Sequence, residues 1–176
     1  RRPHAPSRRR PALAQGGLGM TPFEPPAQLP PGVGIEGFHC GDPVVDAWVE
    51  RHSAAARERG TAVIYAVKCG EDVAGFYTLS THSVSRADSR GWISRNAPDQ
   101  VPAVLLGLMG VDERYKGLGL GASLMRDAIV NAAKVAQIAG ARALVVDPSS
   151  EAAAGFYGHF GFARLSGTSR MALKLI

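Results

Sequence analysis

The 176-residue chain reads as one mixed α/β (α+β) domain: a central mixed sheet with antiparallel amino-terminal strands, a later β-α-β unit, and helices on both faces. Three observations predict this. Two β-rich runs, Thr61 to Lys68 and Val73 to Ser80, are joined only by Cys69-Gly70-Glu71-Asp72, which suits an antiparallel hairpin. The apolar run Val101 to Val111 passes through a glycine-rich turn into a helical pattern over 118–139, and Arg142 to Asp147 is a second apolar strand. Helical patterns over 43–59 and 151–159 supply the remaining layers.

The elements follow in order. Residues 1–34 form an Arg/Pro-rich leader, disordered or extended, and 35–176 a single domain. Pro22, Pro25, Pro26, Pro30 and Pro31 keep the leader's end irregular, so structure is expected near Ile35. Asp42-Pro43 is an N-cap with proline at the first helical position. Val44, Val45, Trp48, Val49, His52, Ala55 and Ala56 make one face of that helix, with His52 as a packed histidine, and Gly60 ends it. Residues 81–100 are polar, with room for one short helix. Val101 to Val111 is expected to be buried on both faces. Leu120, Leu124, Ala128, Val135 and Ala139 face inward on the helix closed by Gly140. Glu151 to His159 is a short helix, with Asp147 as its capping residue or as a contact to a substrate amine. Met171 to Leu175 is the last strand.

Composition excludes several classes. No stretch is long and apolar enough to span a bilayer. The net charge of +5 is carried by Arg1, Arg2, Arg8, Arg9 and Arg10; from Met20 onward fifteen Lys and Arg meet fifteen Asp and Glu. The high isoelectric point is therefore no argument for nucleic-acid binding by the domain as a whole. The first 19 residues read as an upstream extension of a protein starting at Met20, or as a basic arm for a polyanion. Cys40 and Cys69 lack metal or redox spacing and are expected to be free thiols in a reducing compartment.

Residues 111–121 carry the chemistry: Val-Asp-Glu-Arg-Tyr-Lys-Gly-Leu-Gly-Leu-Gly. Gly117, Gly119 and Gly121 let backbone N–H groups approach a diphosphate, and the helix behind adds unpaired N–H groups and its positive dipole end. Arg114 is placed to add a charge-assisted contact. A dinucleotide fingerprint would space its glycines Gly-x-Gly-x-x-Gly, and a triphosphate loop would need Gly-Lys-Ser/Thr; neither is present. A plain tight turn is the remaining alternative.

Arg114-x-x-Gly117-x-Gly119 after a buried strand, with Gly155-Phe156-Tyr157-Gly158-His159-Phe160-Gly161-Phe162 further on, resembles the GNAT superfamily of N-acetyltransferases over about residues 35–175. Gly37-Phe38-His39-Cys40-Gly41-Asp42 with Asp46-Ala47-Trp48, Gly75-Phe76-Tyr77-Thr78-Leu79-Ser80, and Pro102-Ala103-Val104-Leu105-Leu106-Gly107 resemble the GNAT-type toxins of bacterial toxin–antitoxin pairs. That family usually reads Leu-Gly-Arg-Leu-Ala-Val on the cofactor strand; here the run is Leu106-Gly107-Leu108-Met109-Gly110-Val111.

The resemblance implies a GNAT-like fold and acetyl-CoA as co-substrate, with no metal. It places the cofactor against Leu108, Met109, Gly110, Val111, Arg114, Tyr115, Lys116, Gly117, Leu118, Gly119, Leu120, Gly121 and Phe156. It implies an aminoacyl-tRNA acceptor acetylated at its α-amine, a ribbon-helix-helix antitoxin, operator DNA reached only through that antitoxin, a homodimer, and a cytoplasmic setting. It makes Tyr157 the proton donor to the departing thiolate. From helix geometry alone Tyr157 is an aromatic core residue beside Phe156 and Phe160, which pack as an i, i+4 pair. An α-amine with a pKa of about 7.7–8.0 needs no strong base. The developing oxyanion needs N–H donors, expected from the backbone of Leu108 to Val111 at a bulge. Arg86, Arg90, Trp92 and Arg95 are candidate tRNA contacts, cations interleaved with an aromatic, or else a solvated loop. Two alternatives stand beside this reading: an acetyltransferase for a small amine or a protein amino terminus, and a weakly active partner-binding component of an operon regulator.

Overall fold

The computed structural model describes residues 22–30 and 32–176. The leader up to residue 21, including the proposed start at Met20 and the basic arm, lies outside the described residues. Among those described, one seven-stranded sheet has the order β1-β2-β3-β4-β5-β7-β6. Its strands are β1 (Ala27–Gln28), β2 (Val63–Cys69), β3 (Asp72–Ser85), β4 (Gln100–Val111), β5 (Ala143–Val146), β6 (Ala163–Arg164) and β7 (Met171–Lys174). The helices are α1 (Pro43–Glu58), α2 (Leu120–Ala139) and α3 (Glu151–His159), with a 3-10 turn at Glu113–Tyr115. Only β4 and β5 run parallel; the other pairs are antiparallel.

Alternation along β3 and β4 sorts the core into two faces. Tyr77, Leu79, Val104 and Leu106 face α2 and α3, packing with Leu124, Met125, Ala128 and Ala154. On the other face Phe76 joins Phe38, Val45 and Trp48 of the α1 region. Farther along that back face, Val84, Ile93, Ala103, Val145 and Leu165 form a third cluster. Helices therefore cover both faces, and 86–99 wraps part of the back without forming a helix.

Several expectations change. Structure begins before Ile35: β1 pairs with β2 (Ala27 opposite Ala66), and the Phe23 ring stands edge-on to Tyr115 at 5.7 Å. β3 continues to Ser85, five residues past Ser80, because β4 is long enough to pair with it as far as Gln100. His52 and Val44 are exposed, since α1 meets the sheet through Val45, Trp48 and Val49. β4 is well buried only up to Leu106, and residues 108–111 are half-buried. The reason lies in its neighbour: β4 and β5 pair only from Ala103–Ala143 to Leu105–Val145 and then part. Both thiols are free, as expected; burial is the main cause that pushes Cys40 up to about 11.

Candidate active site

The parting of β4 from β5 leaves the β5-facing edge of β4 beyond Leu105 without a strand partner. There the predicted bulge is found. Tyr77 pairs with Met109 but Leu79 with Leu106, so β4 carries one extra residue opposite Thr78. The buried Thr78 hydroxyl oxygen accepts a hydrogen bond from Leu108 N at 3.0 Å, which satisfies the displaced amide. Leu108 N is thereby engaged, and the donors left for an oxyanion are alternate N–H groups of Met109 to Val111. A Cβ on Gly107 would stand 2.9 Å from Thr78 Oγ1, so a side chain there would displace the hydroxyl that holds Leu108 N. Thr78 was not among the predicted site residues; its only signal is a polar residue in an apolar run.

Side chains after the bulge divide by face. Met109 and Val111 join the α2/α3 cluster, while Leu108 packs against the back-face cluster that holds Phe38, Val45 and Phe76. Gly110 receives Phe38 from the back, where a Cβ would meet its Cζ at 3.1 Å. At the mouth of the gap three elements converge: a Cβ on Gly121 would lie 3.8 Å from Phe156 Cζ and 4.0 Å from Val111 Cγ2.

The turn itself fits a diphosphate through its backbone. Gly117 and Gly119 have φ of 78° and 80°, a left-handed conformation that turns successive N–H groups to one side. Gly119 caps α2 without any side-chain bond, so the first-turn N–H groups of the helix have no intrahelical partner. Leu118 is exposed at the tip, and Leu120 is buried beneath it.

Arg114 takes a different place from the one expected. Its Nε donates to Asp112 Oδ1 at 2.8 Å, Nη2 to Asp112 Oδ2 at 3.2 Å, and Nη1 to Asp72 Oδ2 at 3.1 Å. Asp112 is 1% exposed and also accepts from His39 N at 3.0 Å. Although burial opposes it, the hydrogen bonds from Arg114 and His39 hold the Asp112 carboxyl below the usual carboxylate range. Tyr115 is buried and donates to Asp72 Oδ2 at 3.0 Å. Lys116 Nζ donates to Cys40 O at 2.6 Å. These three side chains brace the turn from behind, which leaves its backbone to meet an anion.

Tyr157 lies on α3 with Phe156 at 5.6 Å and Phe162 at 5.8 Å between ring centroids, and Phe156 packs on Phe160 at 5.2 Å as predicted. Burial pushes its phenol pKa up. No side-chain oxygen of the described residues is both sealed and unpaired, so the Tyr157 hydroxyl, which bonds to no described residue, opens onto solvent. A phenol that keeps its proton and has no competing acceptor is suited to give that proton to a leaving thiolate.

The predicted tRNA contacts do not converge. Arg86 pairs with Asp99 at 2.6 Å and donates to Ala97 O, Trp92 packs on the back-face cluster, and Arg95 is exposed. Arg90 alone lines a back-face cleft of about 710 Å³. Asp147 lines the same cleft rather than capping α3, whose cap is Ser150, accepting from Ala153 N. Among the described residues no group of three or more metal-binding side chains occurs, and no helix is long and apolar enough to cross a membrane.

Residues 58–164 match the acetyltransferase (GNAT) domain. The chain is 33% identical over 157 residues to a tRNA-acetylating toxin of Mycobacterium tuberculosis, covering 89% of this chain and 94% of that protein. It is 30% identical over 114 residues to a probable toxin TacT of Sinorhizobium fredii, covering 62% and 63%. Among solved structures, a bacterial toxin superposes with TM-score 0.79 at 21% identity, covering 87% of this chain and 90% of the other. AtaT complexed with acetyl-methionyl-tRNAfMet gives 0.76 at 22%, covering 86% and 94%.

Proposed function

Since the chain belongs to the GNAT family and is an acetyl-CoA-dependent acetyltransferase, we propose that it acetylates the α-amine of an aminoacyl-tRNA and acts as the toxin of a toxin–antitoxin pair. The observation that carries this is the 33% identity with a tRNA-acetylating toxin along 94% of that relative. Acetyl-CoA supplies an activated acetyl group and a thiolate leaving group when bound.

The chain's own residues divide the remaining work. The backbone of Gly117 to Gly121 and the start of α2 hold the diphosphate. N–H groups of Met109 to Val111, held at the Thr78 bulge, donate to the carbonyl oxygen as its charge grows. Tyr157 keeps a proton for the sulfur. A general base is dispensable because the ester lowers the pKa of the α-amine below the usual 7.7–8.0 or so. Cofactor residues Leu108, Arg114, Tyr115, Lys116 and Phe156 act in this reading through packing and bracing. A ribbon-helix-helix antitoxin, operator DNA reached through it, a homodimer and a cytoplasmic setting complete the proposal.

The test is transfer of label from acetyl-CoA with charged and deacylated tRNA in separate reactions. Label in charged tRNA alone is the expected result. No label in either, from protein that binds acetyl-CoA, would remove the tRNA acceptor and leave small amines.

A further inference from the structure

The back of the sheet carries a side-chain cluster that the cofactor chemistry does not use. Arg170, just ahead of β7, donates from Nε to Asp147 Oδ1 at 2.8 Å and from Nη2 to Asp147 Oδ2 at 2.7 Å. Its Nη1 lies 2.7 Å from His82 Nε2. A guanidinium only donates, so Nε2 is the acceptor and the imidazole proton sits on Nδ1, which makes His82 neutral in this contact. Burial, then the charge of Arg170, lowers the His82 pKa accordingly.

Placement makes the cluster more than a clamp. His82 belongs to β3 and Arg170 adjoins β7, and the sheet order puts β4 and β5 between them. The two side chains meet only by rising off the back face and bridging β4 and β5 near the point where those strands part. The β5–β7 ladder already runs to Val146–Met171, so strand pairing does not depend on this bridge. Beneath it opens the 710 Å³ cleft, lined by Ser85, Asp88, Arg90, Ser166 and Thr168 along with Asp147 and Arg170. Tyr157 and the α2/α3 cluster lie on the opposite face. The bridge thus crosses β4 and β5 diagonally, from the level of Ala103, opposite His82, to that of Asp147, just past the last β4–β5 rung Leu105–Val145.

We propose that Arg170, aligned by Asp147 and His82, is the acceptor-positioning residue, and that the cleft takes the ribose–phosphate oxygens at the acceptor's nucleotide end. Three of the five guanidinium N–H groups are fixed by Asp147 and His82, which locks its plane; the remaining two, one on each Nη, are left for acceptor oxygens. Hydroxyls of Ser85, Ser166 and Thr168 and the Arg90 cation suit the same oxygen-rich chemistry. This inference rests on the nucleic-acid acceptor proposed above.

The probe is an RNA minihelix ending in an aminoacyl group joined to its 3′ end through a stable amide, with binding followed by fluorescence anisotropy. Arg170→Gln is expected to weaken minihelix binding about tenfold, the loss of a charge-assisted contact, with acetyl-CoA affinity unchanged. Arg170→Lys, a point donor without the planar fork, should recover part of it. His82→Gln, which keeps an acceptor oxygen, should cause a smaller loss and carries the test if Arg170→Gln does not fold. Equal minihelix affinity in wild type and variants, no minihelix binding by wild type, or a matching loss of acetyl-CoA affinity would each overturn the assignment. Label transfer to charged tRNA by wild type judges the acceptor proposal separately.

Discussion

The glycine turn at the start of α2 and the cleft on the back of the sheet are built by opposite means. The turn presents backbone: two left-handed glycines and an uncapped helix start, with Arg114, Tyr115 and Lys116 turned to bracing contacts. The cleft presents side chains brought from β3, the end of β5 and the approach to β7. A backbone site tolerates changes of side chain but not of conformation, whereas a side-chain site is sensitive residue by residue. The turn is also contiguous in sequence, and the cleft exists only after the sheet has formed.

The sharpest way to break the turn is therefore from behind. Asp112 is almost fully buried and carries Arg114, the His39 backbone and the Arg114 amide. Asp112→Ala leaves Arg114 with Asp72 as its remaining acid and should cost about 3 kcal/mol of stability, read by chemical denaturation. The native carboxyl is held below its ordinary value, so its stabilisation is fully present above the unfolded pKa of about 3.9 and is lost as pH falls through the lower native one. The stability gap between wild type and Asp112→Ala should accordingly narrow in strong acid. A gap independent of pH would mean that the carboxylate's charge is not what braces the turn.

Tyr157→Phe tests the other end of the gap. Ring packing with Phe156 and Phe162 is retained, so the melting temperature and acetyl-CoA affinity should hold while kcat falls about 100-fold or more. A fall below threefold would return Tyr157 to the aromatic core, the reading that helix geometry alone favours.

The contrast between the two regions explains what the sequence made legible. Asp42-Pro43, Gly60 and Gly140 mark helix ends by local rules, and α1, α2 and α3 stand within two residues of the predicted bounds. The glycine turn is equally local. Burial of Asp112, the two-acid brace on Arg114 and the meeting of His82 with Arg170 depend on strand neighbours 42 to 88 residues apart in sequence. In the segment 82–95 composition singles out Arg86, Arg90, Trp92 and Arg95, yet Arg86 is held by Asp99 and Ala97, Trp92 packs on the back-face cluster, and of the four only Arg90 lines the cleft. His52 shows the converse error: periodicity gives the stripe of a helix but not how far the sheet extends beneath it.

Gly119→Ala addresses the turn's conformation alone. A Cβ there meets nothing within 4 Å, so the penalty comes from φ of 80°, about 1–2 kcal/mol for an L-residue. The expected result is a melting temperature lower by several degrees and acetyl-CoA binding weakened up to tenfold, with minihelix affinity unchanged. Equal weakening of both ligands would show that turn and cleft are not separable.

The smallest effect expected is none, and it separates the two sides by pH. On the acid side the rate should climb as the acceptor amine loses its proton, with a midpoint below about 8. Burial raises the Tyr157 pKa, so the phenol keeps its proton at and above the ordinary value near 10. The profile of kcat/KM should therefore be flat from about pH 8 to 10, with no alkaline limb in that interval. A fall centred near pH 9 that disappears in Tyr157→Phe would show that the phenol ionises more easily than its packing against Phe156 and Phe162 allows. A fall that persists in that variant would point to some other group, and would leave the proton donor's place on α3 intact.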